Sequence, residues 1–360
     1  MEANRKDLLG VLNNVKKIMS KSRDLPILNC IVLDGINNKV YTTDLEAIFS
    51  ADINLYDSDN VFVIDHAQLQ KILKSLSTDF ITIVSNGNNT ISINGKINIG
   101  IANLDDFPEL LNIKEMEFMG TTVVKRLDLA NTARIAIWRD AYTKLENVCI
   151  NNEHIVSTDG HRMYYGKTAT WDITELPQIL INGVYAGKLD SIIKRLEHIT
   201  VKVFRERNEA KKVYTLIEIN DYQTVMFLPP DARFPDYKVF VDSKGENIYE
   251  LHLETFKKSM NELSAFFGNK DKPNTAKFEF ENDTLTISIC ESKTSLTTSI
   301  KGITKSIVIG INPHYIMDML NCFEENRLSY IRMQMDDNKP VYFNDMANDD
   351  FACIIMPCRL

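Results

Sequence analysis

One order of pattern recurs three times along the chain, and it restricts the possible folds more than any other feature. A stretch with helical spacing is followed by short alternating strands, then a second helical stretch, then more strands. The first helices of successive units start about 120 to 125 residues apart. The helical stretches are 8–20, 66–76, one beginning near Asp128, 184–196, 253–267 and 313–323. In the first, Leu8, Leu9, Val11, Leu12, Val15 and Met19 recur at the spacing that builds one apolar helix face. Asp65 stands where the second needs an N-cap, and Asn312 with Pro313 supplies a cap and a first-turn proline for the sixth. Between the helices, TISINGKINIGI sets Ile91 and Ile93 against Ile97, Ile99 and Ile101 around Asn94 and Gly95, the signature of a two-residue hairpin. KFEFENDTLTISI, turning at Asn282 and Asp283, and YIRMQMDDNKPVYFND repeat the plan.

Short peptides echo in the same order. FPEL at 107–110 returns as FPDY at 234–237, and YTTDLE at 41–46 returns as VSTDGHR at 156–162, with Asp44 and Asp159 in matching places. The pattern points to an internal triplication of α+β class, each domain holding two helices packed on antiparallel sheets. The expected domains are 1–120, 121–244 and 245–360, divided where GTTV and KGEN resemble linkers. Three unrelated α+β domains are the alternative. Each sheet must be covered on one face, or neighbouring units must share a sheet across their junction. Repeats joined through sheet edges form an arc, and an arc that pairs with its own copy closes into a ring.

Apolar residues make up 44 % and charged residues 25 %, so each third can bury a core. The longest apolar runs are of strand length, far short of a membrane span. The start, MEANRKDLLGVLNN, lacks the apolar run of a secretory signal. Cys30, Cys149, Cys290, Cys322, Cys353 and Cys358 form no CxxC and read as reduced thiols, which makes the cytoplasm the expected location. Net charge is −8, yet the six helical regions sum to about +6 and leave about −14 for strands and loops. Helices sharing one face would attract a polyanion through phosphate contacts that read no sequence. The candidates for such contacts are Lys16, Lys17, Lys21, Arg23, Lys71, Lys74, Arg134, Lys188, Lys194 and Arg195. Ordinary solvated helix surface is the competing reading.

Catalytic patterns are missing from the sequence. There is no HExxH, no GxSxG and no glycine-rich phosphate loop after a strand, and neither cofactor nor metal is expected. STDGHR places Ser157, Asp159 and His161 within five residues, but members of a catalytic triad come from distant segments that orient one another. A tight turn is the simpler reading: Asp159 caps local amides and Gly160 takes an unusual backbone angle. DARFPDYKVF at 231–240 and the final MPCRL offer apolar walls for a groove.

LPILNCIVLDG, VYTTDLEAIFSADI, DDFPEL, IVSTDGHRMYY, DARFPDY, INPHYIMDML and IIMPCRL, in this order and spacing, resemble the bacterial sliding clamps, the beta subunits of DNA polymerase III. The resemblance spans the whole length. It implies a DNA-clamp fold of three similar domains and a head-to-tail homodimer closed into a ring, with helices lining the hole. It implies a non-enzymatic processivity factor that encircles double-stranded DNA and is placed there by a clamp loader. Its partners would be the alpha subunit of the replicative polymerase, the loader, other polymerases and repair proteins. These would insert a short motif of glutamine and apolar residues into a pocket between domains two and three. Carried over, the pocket's walls are Thr158, Gly160, His161, Arg162 and Met163, then Pro235, then Ile355, Met356, Pro357, Cys358, Arg359 and Leu360. Ile97 and Ile99 would meet Leu263, Phe266 and Phe267 between subunits.

The chain departs from the family pattern in three places. After FPDY, Lys238 keeps a basic residue but Val239 and Phe240 follow, which makes the rim more apolar. Cys358 stands where methionine is usual, and Ser22 stands between Lys21 and Arg23 where a basic residue is usual. A peptide-binding scaffold that never closes a ring is the alternative function.

Overall fold

The computed structural model describes residues 1–56, 59–136, 145–171, 178–207, 209–269, 274–281, 283–289, 292–299, 305–325, 329–336, 339–346 and 349–360. It contains two compact units. One comprises residues 1–126, 169–181 and 185–231; the other comprises 127–168, 182–184 and 232–360.

The described helices are α1 (Arg5–Ile18), α2 (His66–Ser75), α3 (Arg126–Ala136), α4 (Gly183–Ile193), α5 (Lys238–Val241), α6 (Leu253–Ser264) and α7 (Pro313–Glu325). Six of them answer to the six periodic stretches. α5 is a single turn, too short to show a period. α1 starts earlier than its apolar stripe because the Asn4 side chain accepts from the amides of Lys6 and Asp7 at 2.9 and 3.2 Å. Asp65 caps α2 as expected, accepting from the Gln68 amide at 2.7 Å, and Asn312 caps α7 through the His314 amide at 3.0 Å. α6 stops at Ser264, which leaves Phe266 and Phe267 beyond it. The expected turn residue Asn282, Cys290, and Arg139 and Arg327 from the helical charge count lie outside the described residues.

The first unit holds two antiparallel sheets. A five-stranded sheet runs Leu55–Tyr56, Glu2–Asn4, Phe80–Gly87, Thr90–Ile93, Ile97–Gly100. A hairpin joins these strands at the expected place, but its connection is three residues long, Asn94 to Lys96, instead of two: Ile93 pairs with Ile97, the Lys96 amide donates to the Ile93 carbonyl at 3.1 Å, and Asn94 and Gly95 take φ of 51° and 65°. A nine-stranded sheet runs Ala169–Trp171, Met116–Lys125, His198–Glu206, Glu209–Asn220, Gln223–Phe227, Ala47–Asp52, Lys39–Thr43, Cys30–Asp34, Val61–Asp65. Its seam is Gln223–Phe227 against Ala47–Asp52, with Met226 opposite Ile48. Strands from the expected first and second domains are thus parts of one sheet.

The second unit repeats the device. Asn147–Ile150, His154–Thr158, Arg162–Lys167, Phe351–Ile355, Val341–Asp345, Tyr330–Met335 and Asn247–His252 follow one another in a sheet. The seam is Arg162–Lys167 against Phe351–Ile355, with Met163 opposite Ile354. A four-stranded sheet, Thr294–Ser299, Thr284–Ile289, Ala276–Glu281, Ile307–Ile311, lies under α6 and α7. Phe256, Met260 and Leu263 of α6 and Ile316, Leu320 and Phe323 of α7 are buried with Phe278, Phe280, Ile287 and Ile309 in one core. Each such side chain contributes about 1.5–3 kcal/mol by leaving water. Of the two ways to complete a sheet, the chain shares sheets across the boundaries expected near 121 and 245.

Candidate functional site

In the second unit the TDGHR turn joins two neighbouring strands and fixes one arginine. The Asp159 carboxylate accepts from the amides of His161 and Arg162, both at 3.0 Å, and from Arg162 Nε at 2.9 Å. Gly160 sits at φ +87°, a backbone conformation that side chains disfavour. Arg162 Nη1 reaches Asp318 of α7 at 2.7 Å, and the guanidinium lies 4.7 Å from the centre of the Tyr315 ring. Burial works against its charge, but the carboxylates of Asp159 and Asp318 outweigh burial and hold the pKa above the ordinary value. Asp159 is therefore committed to a structural ion pair, as the turn reading expects. His161 stacks on Tyr315 at 6.4 Å.

Beside this turn opens a cavity of about 280 Å³. Thr158, Gly160, Arg162, Met163, Pro235 and Met356, all expected from the sequence, line it together. Leu145, Asp236, Tyr237, Phe240 and Ile354 also line it. Arg162, Met163 and Ile354 also line a neighbouring cavity, and there Ile355 joins them with Tyr315, Met319 and Cys322. Pro357, Cys358, Arg359 and Leu360 line a separate cleft along Ile307, Val308, Ile309 and Gly310. Tyr237 is fixed by Asn151 Nδ2, which donates to its hydroxyl at 2.7 Å, and by His154 Nδ1 at 3.2 Å. Burial pushes the Tyr237 pKa up to about 12. At the rim, Lys238 pairs with Glu153 at 2.8 Å, while Val239 and Phe240 are 66 % and 40 % exposed.

The first unit has a counterpart at its own seam. Asp44, in the place of Asp159, accepts from the Ser20 amide at 2.7 Å and from the Tyr185 hydroxyl of α4 at 2.5 Å. The seam pair Ile48 and Met226 matches Met163 and Ile354. Here Leu110, the last residue of FPEL, and Leu111 and Ile113 beyond it pack against the cluster containing that pair.

The basic candidates divide by setting. Lys16, Lys21 and Lys71 line one cleft of about 420 Å³ in the first unit, with Ser20, Asn29, His66 and Gln70. Lys17, Arg23, Lys74, Lys194 and Arg195 are exposed on or near the helices of that unit, and Arg134 is exposed on α3 in the other. Lys188 is half-buried: its ammonium donates to Ser20 Oγ at 2.9 Å and lies 4.8 Å over the Tyr185 ring. Burial lowers its pKa against the opposing pull of Asp44 and Glu46. Among the interface candidates, Ile99 and Leu263 are buried in the chain's own core, Ile97 and Phe267 are half-buried, and Phe266 is 46 % exposed.

The profile described as DNA polymerase III beta subunit, N-terminal domain, matches residues 1–111; that described as DNA polymerase III beta subunit, C-terminal domain, matches residues 242–359. The chain belongs to the DNA polymerase III beta subunit family. Clamps of this family are non-catalytic processivity factors, so the chain has a DNA-clamp role and is not an enzyme. The fold agrees. The beta subunit from Pseudomonas aeruginosa superposes with a TM-score of 0.84 at 18 % identity, covering 100 % of this chain and 99 % of that one. The DnaN sliding clamp of that organism bound to griselimycin gives 0.82 at 19 %, with the same coverage. The beta subunit from Streptococcus pyogenes gives 0.83 at 17 %, again over 100 % and 99 %. No curated protein matches the sequence. Among the described residues, no three His, Cys, Asp or Glu side chains are grouped to hold a metal ion, and no helix is long and apolar enough to cross a membrane.

Proposed function

We propose that three repeats, bounded near 121 and 245, pair head-to-tail with a second copy in a ring around duplex DNA. The ring tethers the replicative polymerase and other DNA-processing proteins through the cavity beside TDGHR. One comparison within the molecule carries the docking half of this reading. At the first seam, Leu110, Leu111 and Ile113 pack over the Ile48 and Met226 cluster; at the second, Met163 and Ile354 line an open cavity. Where the chain packs its own apolar side chains against the first seam, the cavity at the second is suited to apolar side chains supplied from outside. Tyr237 and Phe240 extend that apolar surface, and Thr158 and Arg162 place polar groups beside it.

The DNA half rests on family membership and on the cleft of Lys16, Lys21 and Lys71. It is tested by loading the protein on a nicked circular duplex and raising the salt until phosphate contacts fail. The protein stays on the circle and is lost once the DNA is linearised. Equal loss from both forms, with peptide binding intact, would assign the cavity to a scaffold that does not encircle DNA.

A further inference from the structure

The segment that follows the strand Phe351–Ile355 is held by two backbone contacts. The Met356 amide donates to the His161 carbonyl at 2.8 Å, and the Cys358 amide donates to the Gly310 carbonyl at 2.7 Å. The second contact is an isolated antiparallel bridge on the edge strand Ile307–Ile311. Gly310 is not in the left-handed region, so its backbone would accept any residue. Space is what it lacks. A Cβ at this position would stand 2.6 Å from the Cys358 carbonyl oxygen, 3.0 Å from Thr275 Cγ2 and 3.2 Å from Leu360 Cδ2. The nearest obstacle is backbone, which cannot rotate aside.

We propose that Gly310 is a positioning residue for the peptide site: its missing side chain lets residues 357–360 cross the sheet edge closely enough to bond it, and that crossing holds Met356 at the cavity. This rests on the peptide-docking reading above. A glycine within a strand otherwise costs stability relative to alanine, so the close crossing gives this position a reason for glycine.

The test pairs Gly310→Ala with a chain ending at Pro357. The probe is a fluorescein-labelled pentapeptide, glutamine-leucine-alanine-leucine-phenylalanine, and amide exchange at Cys358 is followed in parallel. In the full chain, Gly310→Ala is expected to weaken the peptide by roughly tenfold and to remove protection of the Cys358 amide. In the chain ending at Pro357 the same substitution changes affinity less than twofold, because the backbone obstacle is gone and only the Thr275 methyl contact at 3.0 Å remains. If Gly310→Ala fails to fold in the full chain but folds in the shortened one, the obstruction is equally demonstrated. Unchanged Cys358 protection, or equal loss of affinity in both chains, overturns the proposal. A wild-type chain that ignores the peptide overturns the docking reading instead, and the exchange measurement still decides the role of Gly310.

Discussion

Arg162 is 5 % exposed and carries its charge between two carboxylates and an aromatic ring. Arg162→Met keeps much of the volume but leaves Asp159, itself 1 % exposed, with only its amide donors. Removing one partner of a buried ion pair strands the other, so the unfolding free energy should fall by about 3–5 kcal/mol, read from urea denaturation. Peptide affinity should fall with it, because Arg162 is also a cavity wall. His154 brings in pH. Burial, the largest influence, holds its pKa below 6.5, against an opposing pull from Glu153. The fold therefore favours the neutral ring, and below pH 6.5 the unfolded chain binds more protons than the native one. The stabilisation is complete above 6.5 and is lost as pH falls through 6.5 toward the depressed value. The melting temperature should drop between pH 7.5 and 5.5, and less so in His154→Gln. Because His154 contacts Tyr237, peptide affinity should weaken over the same interval.

Elements divide into those that local pattern writes plainly and those that only tertiary contacts complete. The stripe from Leu8 to Val15, the caps at Asp65 and Asn312 and the Asn94 and Gly95 turn are properties of neighbouring residues, and each appears where the sequence puts it. The seams are different. Nothing near Ala47–Asp52 says that Gln223–Phe227 will pair with it, because strand partners about 175 residues apart leave no local mark. The site was legible where it hangs on a turn, as at TDGHR and FPDY. It was hidden where it depends on pairing across a seam, as at Ile354, which lies opposite Met163. Whether a groove is open or filled is also a tertiary matter, since both seams carry the same kind of cross-strand pair. Two substitutions separate these roles. Phe240→Ala trims an exposed rim and should weaken the pentapeptide by roughly tenfold with little change in melting temperature. Leu111→Ala uncovers part of the first seam and should cost about 1–2 kcal/mol of stability while leaving peptide affinity alone.

At the scale of the whole molecule, an overall charge of −8 must coexist with attraction to DNA, and location resolves the conflict. Basic residues concentrate on α1, α2, α4 and the turns after them, so on the proposed reading phosphate contacts would depend on a few side chains. On the proposed ring, association of two copies would rest on sheet edges and apolar ends. Ile97–Gly100 and Thr294–Ser299 are edge strands in their sheets, and exposed edges recruit partners unless blocked. Phe266, just past the end of α6 and 46 % exposed, is the aromatic ring most available there among the interface candidates. Ile99 and Leu263 already lie in the chain's own core and have little surface left to bury. Phe266→Arg should therefore strike association without touching the fold. Sedimentation velocity at micromolar concentration should show one chain instead of two, with the melting temperature within a degree or so of that of a wild-type chain diluted to the monomer. The variant should bind the pentapeptide normally, because the cavity is complete within one unit, and should be lost equally from circular and linear duplexes. A dimeric mass for Phe266→Arg would move the contact elsewhere along the edge strands; a wild-type chain that is itself monomeric would leave the cavity in place and remove the ring.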